Sequence, residues 1–384
     1  MNEGTVSSRP QDVEERMVDA PSTKRPRDRP LLFQFGRIGR YGFSVGTVLL
    51  ALAVTWAVKP LHQQPPTLLF FSAVVLTGWY AGISAGIVAS LLSIVALDCF
   101  FVGAVATGQL KLLDVIDFVT FAGVGCLASI AQDRWRRAHR SLVEVEDEIA
   151  VARRIQLRLF PSAAPSAPGF EIAGSCVPAS ATGGDFYDYI PMPGGELGIS
   201  IGDVSSHGLG PALVMALIRA YLRALALTQA DPGVVLGEAN QILCNDLEEG
   251  RFATVMLCAL HTGTRTLAYA AAGHEGYVLD DTGIVATMTS TGLPLGIDSS
   301  RPNPSGPTVS LKSGQIVLLM SDGITEAESA ERELFGLPRA VEIVQKYRQR
   351  PAAEIVAAML EAARDFSRPA PQNDDMTVVV IKVL

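Results

Sequence analysis

Residues 199–213 read ISIGDVSSHGLGPAL, and this stretch decides the fold of the C-terminal half of the chain. An apolar run that predicts a β-strand ends at Gly202 and Asp203, and an apolar helix is predicted to begin near Leu209. A carboxylate at a strand end projects into a cleft, and a neighbouring glycine lets the backbone approach a ligand closely. Asp203 is therefore a candidate ligand residue.

Three further acidic positions repeat this arrangement. Asp185 lies in TGGDFYDY (residues 182–189), Asp322 in VLLMSDGITEA (317–327), and the pair Asp374–Asp375 in QNDDMTVVVI (372–381). Taken singly, each motif is typical of an ordinary turn or a solvated loop. Their joint order along one half of the chain, beside apolar strands and without His or Cys, favours a hard, oxygen-preferring ion such as Mg²⁺ or Mn²⁺.

The C-terminal half consists of short β-rich runs with a few helices between them, which predicts an α+β layered sandwich. The predicted strands are 170–177, 185–190, 196–203, 253–260, 265–272, 275–280, 315–321 and 376–383. The predicted helices are 209–228, 232–247, 338–348 and 352–366.

Eight motifs of this half, in this order, resemble the SpoIIE/RsbU-like branch of the PPM (type 2C) protein serine/threonine phosphatases. They are ARRIQLRLFP, PASATGGDFYDY, GDVSSHGLGPALVMA, FATVMLCAL, YAAAGHEGYVL, TGLPLGI, VLLMSDGITEA and DDMTVVVI, which together cover about residues 145–384. The resemblance implies an α-β-β-α sandwich with a site for two Mn²⁺ or Mg²⁺ ions between its sheets.

The same resemblance implies the roles of individual residues. The expected metal ligands are Asp185, Asp203 as the bridging aspartate, the backbone carbonyl of Val204, Asp322 and Asp374. Asp375 is expected to support the ligands rather than bind metal, and Asp188 is expected to be structural. The motif Gly273–His274–Glu275 is expected to be a structural turn.

The chemistry that the resemblance implies is attack on phosphorus by a water that two divalent ions activate, with Asp203 and Asp322 catalytic through that water. His207 either protonates the leaving alkoxide or only positions its loop, and the sequence favours the second role. The implied substrate is a phosphoserine or phosphothreonine protein, by analogy a STAS-domain anti-sigma-factor antagonist. The alternative is a non-catalytic membrane receptor that uses the phosphatase fold to bind a partner.

The N-terminal half predicts a membrane domain. The whole chain of 384 residues is 48% hydrophobic and only 18% charged, and its net charge of −8 argues against a nucleic-acid partner. Between Tyr41 and Ala131 the apolar runs predict four spans, at 42–58, 67–81, 83–102 and 113–131. The segment 68–101, LLFFSAVVLTGWYAGISAGIVASLLSIVALDCFF, resembles the four-helix transmembrane module of KdpD-like sensor kinases, which implies a sensory or anchoring role.

Basic residues predict the orientation in the inner (cytoplasmic) membrane. Both flanks of the apolar region are basic and the loops between the spans are not, so both ends and the catalytic domain are expected in the cytoplasm. The flanking residues are Lys24, Arg25, Arg27, Arg29, Arg37 and Arg40 on one side and Arg134, Arg136, Arg137 and Arg140 on the other.

Four segments follow from these patterns. Residues 1–40 are expected to be a disordered cytoplasmic N-terminus, 41–131 the transmembrane module, 132–160 a connector helix and 161–384 the phosphatase domain. The connector carries one apolar stripe, formed by Leu142, Val145, Ile149, Ala152, Ile155 and Leu159. This stripe predicts either a homodimeric coiled coil or packing against the chain's own domain.

Overall fold

Two different hydrophobic patterns, long apolar helices first and alternating strands later, give the chain two structural units. The computed structural model describes residues 37–58, 67–102, 112–206, 208–248 and 250–384. The units are Met1–Glu144 and Val145–Leu384. The division of the chain into four functional segments stays a prediction.

The N-terminal unit is helical throughout its described residues. Its helices are α1 (Arg37–Val58), α2 (Thr67–Ala81), α3 (Ile83–Leu97), which continues into a π-helical turn (Asp98–Val102), and α4 (Leu112–Leu157). Gly82, with φ of 95°, permits the abrupt connection between α2 and α3. The buried side chains that hold these helices together include Val48, Ala51, Phe70, Val74, Ala89, Leu97 and Phe121.

The first three predicted spans coincide with α1, α2 and α3 with its π-helical turn. The segments Ile38–Val58 and Ile83–Phe101 are long and apolar enough to cross a membrane, with mean hydropathies of 1.7 and 2.1, and Thr67–Ala81 is apolar but shorter. The fourth predicted span, 113–131, lies within α4. The count of four spans therefore stays a prediction.

Two sequence expectations for this half are corrected. Residues 37–40 form the first turn of α1 rather than disordered chain, and residues 1–36 lie outside the described residues. The fourth span and the connector are one continuous helix, α4, which ends at Leu157 rather than at residue 160. Residues 131–142 contain no Gly or Pro, so the helix continues from the predicted span into the connector. Pro161 prevents the helix from continuing much beyond Leu157.

Beyond the end of α4, the described residues of the C-terminal unit form ten strands and five α-helices. In chain order these are β1 (Phe170–Val177), β2 (Phe186–Pro191), β3 (Leu197–Val204), α5 (Leu209–Ala226), α6 (Pro232–Asp246), β4 (Ala253–His261), β5 (Thr266–Ala272), β6 (Gly276–Asp280), β7 (Gly283–Met288), β8 (Val309–Ser310), β9 (Ile316–Met320), α7 (Asp322–Thr325), α8 (Gly336–Tyr347), α9 (Ala352–Ser367) and β10 (Met376–Val383). All predicted strands and helices of this half are present to within two residues at each end.

These elements form the predicted four-layer sandwich. One antiparallel sheet has the order β1-β10-β9-β6-β7 and the other has the order β2-β3-β4-β5-β8. Residues such as Ile199, Ile201, Met256, Leu319 and Ile381 fill the space between the sheets. Helices α5 and α6 cover the outer face of the second sheet, and α8 and α9 cover that of the first. Each sheet is therefore buried on both faces, which explains its long apolar runs.

Three elements were not predicted, because their local patterns are weak. Strand β7 forms a hairpin with β6 and is largely exposed, so its side chains lack strict apolar alternation. Strand β8 has only two residues, and α7 begins at Asp322–Gly323, a dipeptide that by itself is typical of a turn.

Candidate metal centre

The acidic residues of interest follow or precede strands at one end of the sandwich. Asp185 directly precedes β2, and Asp203 is the second-last residue of β3. Because Phe186 of β2 lies opposite Gly202 of β3, the two aspartates lie at the same end of this sheet. In the other sheet, Asp322 comes two residues after β9, and Asp375 directly precedes β10. Because β9 and β10 are antiparallel neighbours, with Met320 opposite Val378, the carboxylates of Asp322 and Asp375 lie at the same end of this sheet.

Mutual electrostatic interactions connect the predicted ligands. Burial first, and then the charge of Asp203, raises the pKa of Asp185 well above its usual range. Burial and the charge of Asp322 raise the pKa of Asp203. Partial desolvation of the Asp322 carboxyl group and the charge of Asp374 raise the pKa of Asp322, although much of this side chain is open to solvent. Ionising these carboxylates at the same time therefore costs free energy, unless a bound cation compensates their negative charges.

The chemistry of the donor atoms, which are all oxygens, suits a hard divalent cation. Asp185 is buried, yet its Oδ2 atom has no hydrogen-bond partner. The carbonyl of Val204 points at the same loop, since a Cβ atom placed on Gly184 would lie 2.7 Å from that oxygen. Among the described residues no three His, Cys, Asp or Glu side chains are drawn together tightly enough to enclose an ion. The carboxylates of Asp185, Asp203, Asp322 and Asp374 thus lie within electrostatic reach of one another at one end of the sandwich, a region called the cleft below, without forming a closed cage.

The cleft is open on one side. Asp185 is buried and Asp203 is half-buried, whereas Asp322 and Asp374 are exposed to solvent. A site with its inner ligands buried and its outer ligands exposed is accessible to a group on the surface of another protein.

Asp375 faces the loop of Asp185 and holds its backbone. The Asp375 carboxylate, which is 3% exposed, accepts N–H bonds from Ala179 at 2.7 Å, from Gly184 at 2.7 Å and from Asp185 at 3.3 Å. This carboxylate therefore reaches from the first sheet to the second and supports the loop. The geometry agrees with the expected supporting role.

Asp188, the other acidic residue near Asp185, lies away from the cleft. Its buried carboxylate pairs with Arg219 at 3.0 Å and with Arg223 at 2.6 Å, both on α5. These ion pairs fix α5 on β2, as the structural interpretation of this residue predicted.

The two candidate histidines have different outcomes. His207 lies outside the described residues. His274 is buried beside a turn in which Gly273 has a φ of 75°, and burial lowers its pKa to about 4. Its Nδ1 atom lies 3.4 Å from the hydroxyl of Thr254, the residue paired with Asp203, so a neutral imidazole packs behind the β3 end of the cleft.

Comparison with known proteins assigns the chain to a family. Residues 193–384, half of the chain, match the family model described as Stage II sporulation protein E (SpoIIE), and this match contains Asp203, Asp322 and Asp374. The chain belongs to the SpoIIE family. Residues 41–144 match a second model, a domain of unknown function, DUF4118.

Relatives of this SpoIIE-family chain include characterised proteins. It is 25% identical over 244 residues to "Phosphoserine phosphatase RsbU" of Bacillus subtilis, covering 62% of this chain and 71% of that protein. It is 30% identical over 226 residues to "Protein IcfG" of Synechocystis, covering 51% of this chain but only 35% of that protein. The C-terminal half is thereby a PPM-type serine/threonine phosphatase domain.

A solved structure confirms the fold of this domain. The SiaA-PP2C domain of Pseudomonas aeruginosa superimposes with a TM-score of 0.57 at 22% identity, covering 63% of this chain and 98% of that one. The predicted fold class, an α+β sandwich of the PPM phosphatase type, is therefore confirmed.

Sequence reasoning missed one residue of the C-terminal unit, Gln156, which contacts the loop that carries Asp185. Gln156, in the last turn of α4, is buried and hydrogen-bonds to both backbone groups of Gly183. It lies in the motif ARRIQLRLF among charged and apolar residues that all suit an amphipathic helix. The spacing of Gln156 does not distinguish it from its neighbours. The one sequence signal that could have identified it is a neutral amide among charged and apolar side chains.

Gly323 in the SpoIIE domain provides a stability prediction. A Cβ atom at this position would overlap the backbone carbonyl of Asp375, and a backbone atom cannot rotate away. We expect Gly323→Ala to lower the free energy of unfolding by about 3 kcal/mol. Chemical denaturation of the variant and the parent protein measures this difference.

Gly237 is the matched control for that substitution. It lies inside α6, and a Cβ atom there meets nothing within 4 Å. Gly237→Ala should raise the free energy of unfolding by about 0.5–1 kcal/mol, because alanine loses less backbone entropy in a helix. Equal effects of the two substitutions would contradict the close packing of Gly323 against β10.

Proposed function

We propose that this chain is a membrane-anchored, metal-dependent phosphatase that hydrolyses phosphoserine or phosphothreonine on a signalling protein. The observation that carries the proposal is the mutual charge interaction of four carboxylates, at the ends of strands from both sheets, in a domain of the SpoIIE family. The orphaned oxygen of Asp185 and the raised pKa values of this cluster support a cation there.

The residues proposed to hold two Mn²⁺ or Mg²⁺ ions are Asp185, Asp203, Val204 through its carbonyl, Asp322 and Asp374. When bound, such ions lower the pKa of water and neutralise charge on a phosphoryl group. Asp203 and Asp322 are the carboxylates proposed as catalytic through that water. His207 remains a candidate for protonating the leaving alkoxide.

Cys176 and Cys258 are poor candidates for the nucleophile of a covalent mechanism. Burial raises the pKa of Cys176 well above its usual range, with the charge of Asp185 adding to the effect, and burial raises the pKa of Cys258 to about 12. Both side chains therefore stay as thiols near neutral pH, whereas the nucleophile of a cysteine phosphatase is a thiolate.

For the substrate, we propose a phosphorylated STAS-domain protein. The relative RsbU is named a phosphoserine phosphatase. The exposed rim formed by Asp322 and Asp374 suits a phosphoryl group presented on a protein surface rather than a small molecule enclosed in a pocket.

The N-terminal half is proposed to anchor the enzyme as a multi-pass protein of the inner (cytoplasmic) membrane, with the phosphatase domain in the cytoplasm. Helices α1 and α3 have the required length and hydropathy. The connector part of α4 is proposed to form a homodimer, because Leu142, Val145 and Ile155 are 63%, 51% and 59% exposed along its predicted stripe.

Hydrolysis assays on the full chain, purified in detergent, test the catalytic proposal. We expect release of phosphate from a phosphoserine peptide and from p-nitrophenyl phosphate with Mn²⁺ or Mg²⁺, and none with EDTA. Re-addition of Mn²⁺ after EDTA should restore the rate, because the ions bind reversibly.

The alternative function makes different predictions in the same assay. A folded protein that neither binds Mn²⁺ nor hydrolyses either substrate would favour a non-catalytic membrane receptor. Activity that survives EDTA at full rate would refute metal dependence.

A further inference from the structure

The last turn of α4 is joined to the loop that carries Asp185. Gln156 is 5% exposed, and its side-chain Nε2 donates to the carbonyl of Gly183 at 2.6 Å while its Oε1 accepts from the N–H of Gly183 at 3.1 Å. One side chain thereby satisfies both backbone groups of a single residue. Such a two-point contact fixes the orientation of the peptide planes as well as their distance.

The opposite side of this loop is held by Asp375. Its carboxylate accepts N–H bonds from Gly184 and Asp185, and a Cβ atom on Gly183 would overlap the same carboxylate. Residues 183–185 therefore lie between Gln156 on one side and Asp375 on the other. Because Asp185 follows Gly183 by two residues, the direction of its carboxylate depends on both contacts.

The position of Gln156 is itself well supported. Phe160, four residues later, stacks on Tyr187 of β2 with ring centroids 5.8 Å apart, and Leu159 packs into the core beneath α5 and α6. The neighbouring residues Ile155 and Leu157 are exposed. Of these three consecutive residues, only Gln156 is buried against the domain. Buried side chains on rigid elements are well suited to positioning a ligand.

We infer that Gln156 is a positioning residue for Asp185, through which the end of α4 sets the metal affinity of the cleft. The inference rests on the proposed metal-dependent function. Substitution of Gln156 should weaken Mn²⁺ binding, whereas a residue that only stabilises the fold would leave the affinity of the folded protein unchanged.

The test compares three variants of the full chain in detergent. Gln156→Met keeps the length of the side chain and removes both hydrogen bonds, and Gln156→Glu keeps the acceptor but loses the donor to Gly183. Gln241→Met, an exposed residue on α6, is the matched control. Isothermal titration with Mn²⁺ gives Kd, and hydrogen exchange of residues 180–186 reports whether the loop is released.

Gln156→Met should raise the Kd for Mn²⁺ about tenfold, in line with other residues that hold metal ligands from behind. The Mn²⁺ concentration for half-maximal turnover should rise by the same factor, with faster exchange in residues 180–186. Gln156→Glu should also weaken binding, because its carboxylate oxygen would face the Gly183 carbonyl with no proton to donate. Gln241→Met should match the parent protein.

An unchanged Kd in folded Gln156→Met, or loss of folding in both Gln156 variants, would overturn the inference and leave a purely structural role. Failure of the proposed function is a separate outcome, since the parent protein itself would then bind no Mn²⁺.

Discussion

Asp322→Asn is expected to reduce hydrolysis of a phosphoserine peptide by about a thousandfold or more. Asp322 begins α7 directly beyond β9, and its charge acts on Asp203 within the cleft. The substitution preserves shape but removes one negative charge and one strong oxygen donor from the site. Asp322 is exposed, so the fold should survive, and the effect should appear in kcat and in Mn²⁺ affinity rather than in thermal stability.

Asp281→Asn is the control for this substitution. Asp281 is an exposed residue in the turn between β6 and β7. Because β6 runs antiparallel to β9, with Gly276 opposite Leu319 and Leu279 opposite Ile316, this turn lies at the end of the sheet away from the cleft. The control should retain parental turnover, and near-normal turnover in Asp322→Asn would refute the assignment of Asp322 as a metal ligand.

Asp375→Asn should reduce turnover about 10- to 100-fold, less than Asp322→Asn. The carboxylate accepts N–H bonds with both oxygens, one from Ala179 and the other from Gly184 and Asp185. An asparagine offers a single acceptor oxygen, so its amide group must face at least one of these N–H donors. The loop should loosen, and part of the lost rate should return at high Mn²⁺ because Asp185 itself is retained.

Asp231→Asn is the control for Asp375→Asn. It tests whether replacing any carboxylate that accepts backbone N–H bonds lowers the turnover. Asp231 caps α6 by accepting from the N–H of Gly233 at 2.8 Å, and asparagine is also a good helix cap. Its activity should stay within about twofold of the parent protein. If Asp375→Asn loses activity without any recovery at high Mn²⁺, Asp375 is a ligand rather than a support.

Hydropathy alone would have placed a membrane span in the phosphatase domain. Leu209–Ala226, with 18 residues and a mean hydropathy of 1.5, is also long and apolar enough to cross a membrane, although it is shorter and less apolar than Ile38–Val58 and Ile83–Phe101. In the fold it is α5, and Pro211, Met215, Ile218 and Leu222 bury one face of it against β2 and β3. The strands on either side of it in the sequence, rather than its own composition, predicted this outcome.

The sequence by itself determined the layered α+β fold, the limits of most strands and the four acidic positions. Each of these depends on local information: the period of apolar residues, and the Gly and Asp residues that end a strand. Asp203 and Asp322 could be singled out because a strand and a turn meet at each of them.

Only the tertiary structure decided the role of Gln156 and which backbone groups Gln156 and Asp375 hold. Gln156 contacts Gly183 across 27 residues, and Asp375 contacts Gly184 across 191 residues. Hydrogen bonds over such separations leave no periodic signal in the chain. They exist because the end of α4 and the start of β10 are brought to the same loop by the packing of two sheets, and buried backbone groups must find partners wherever packing places them.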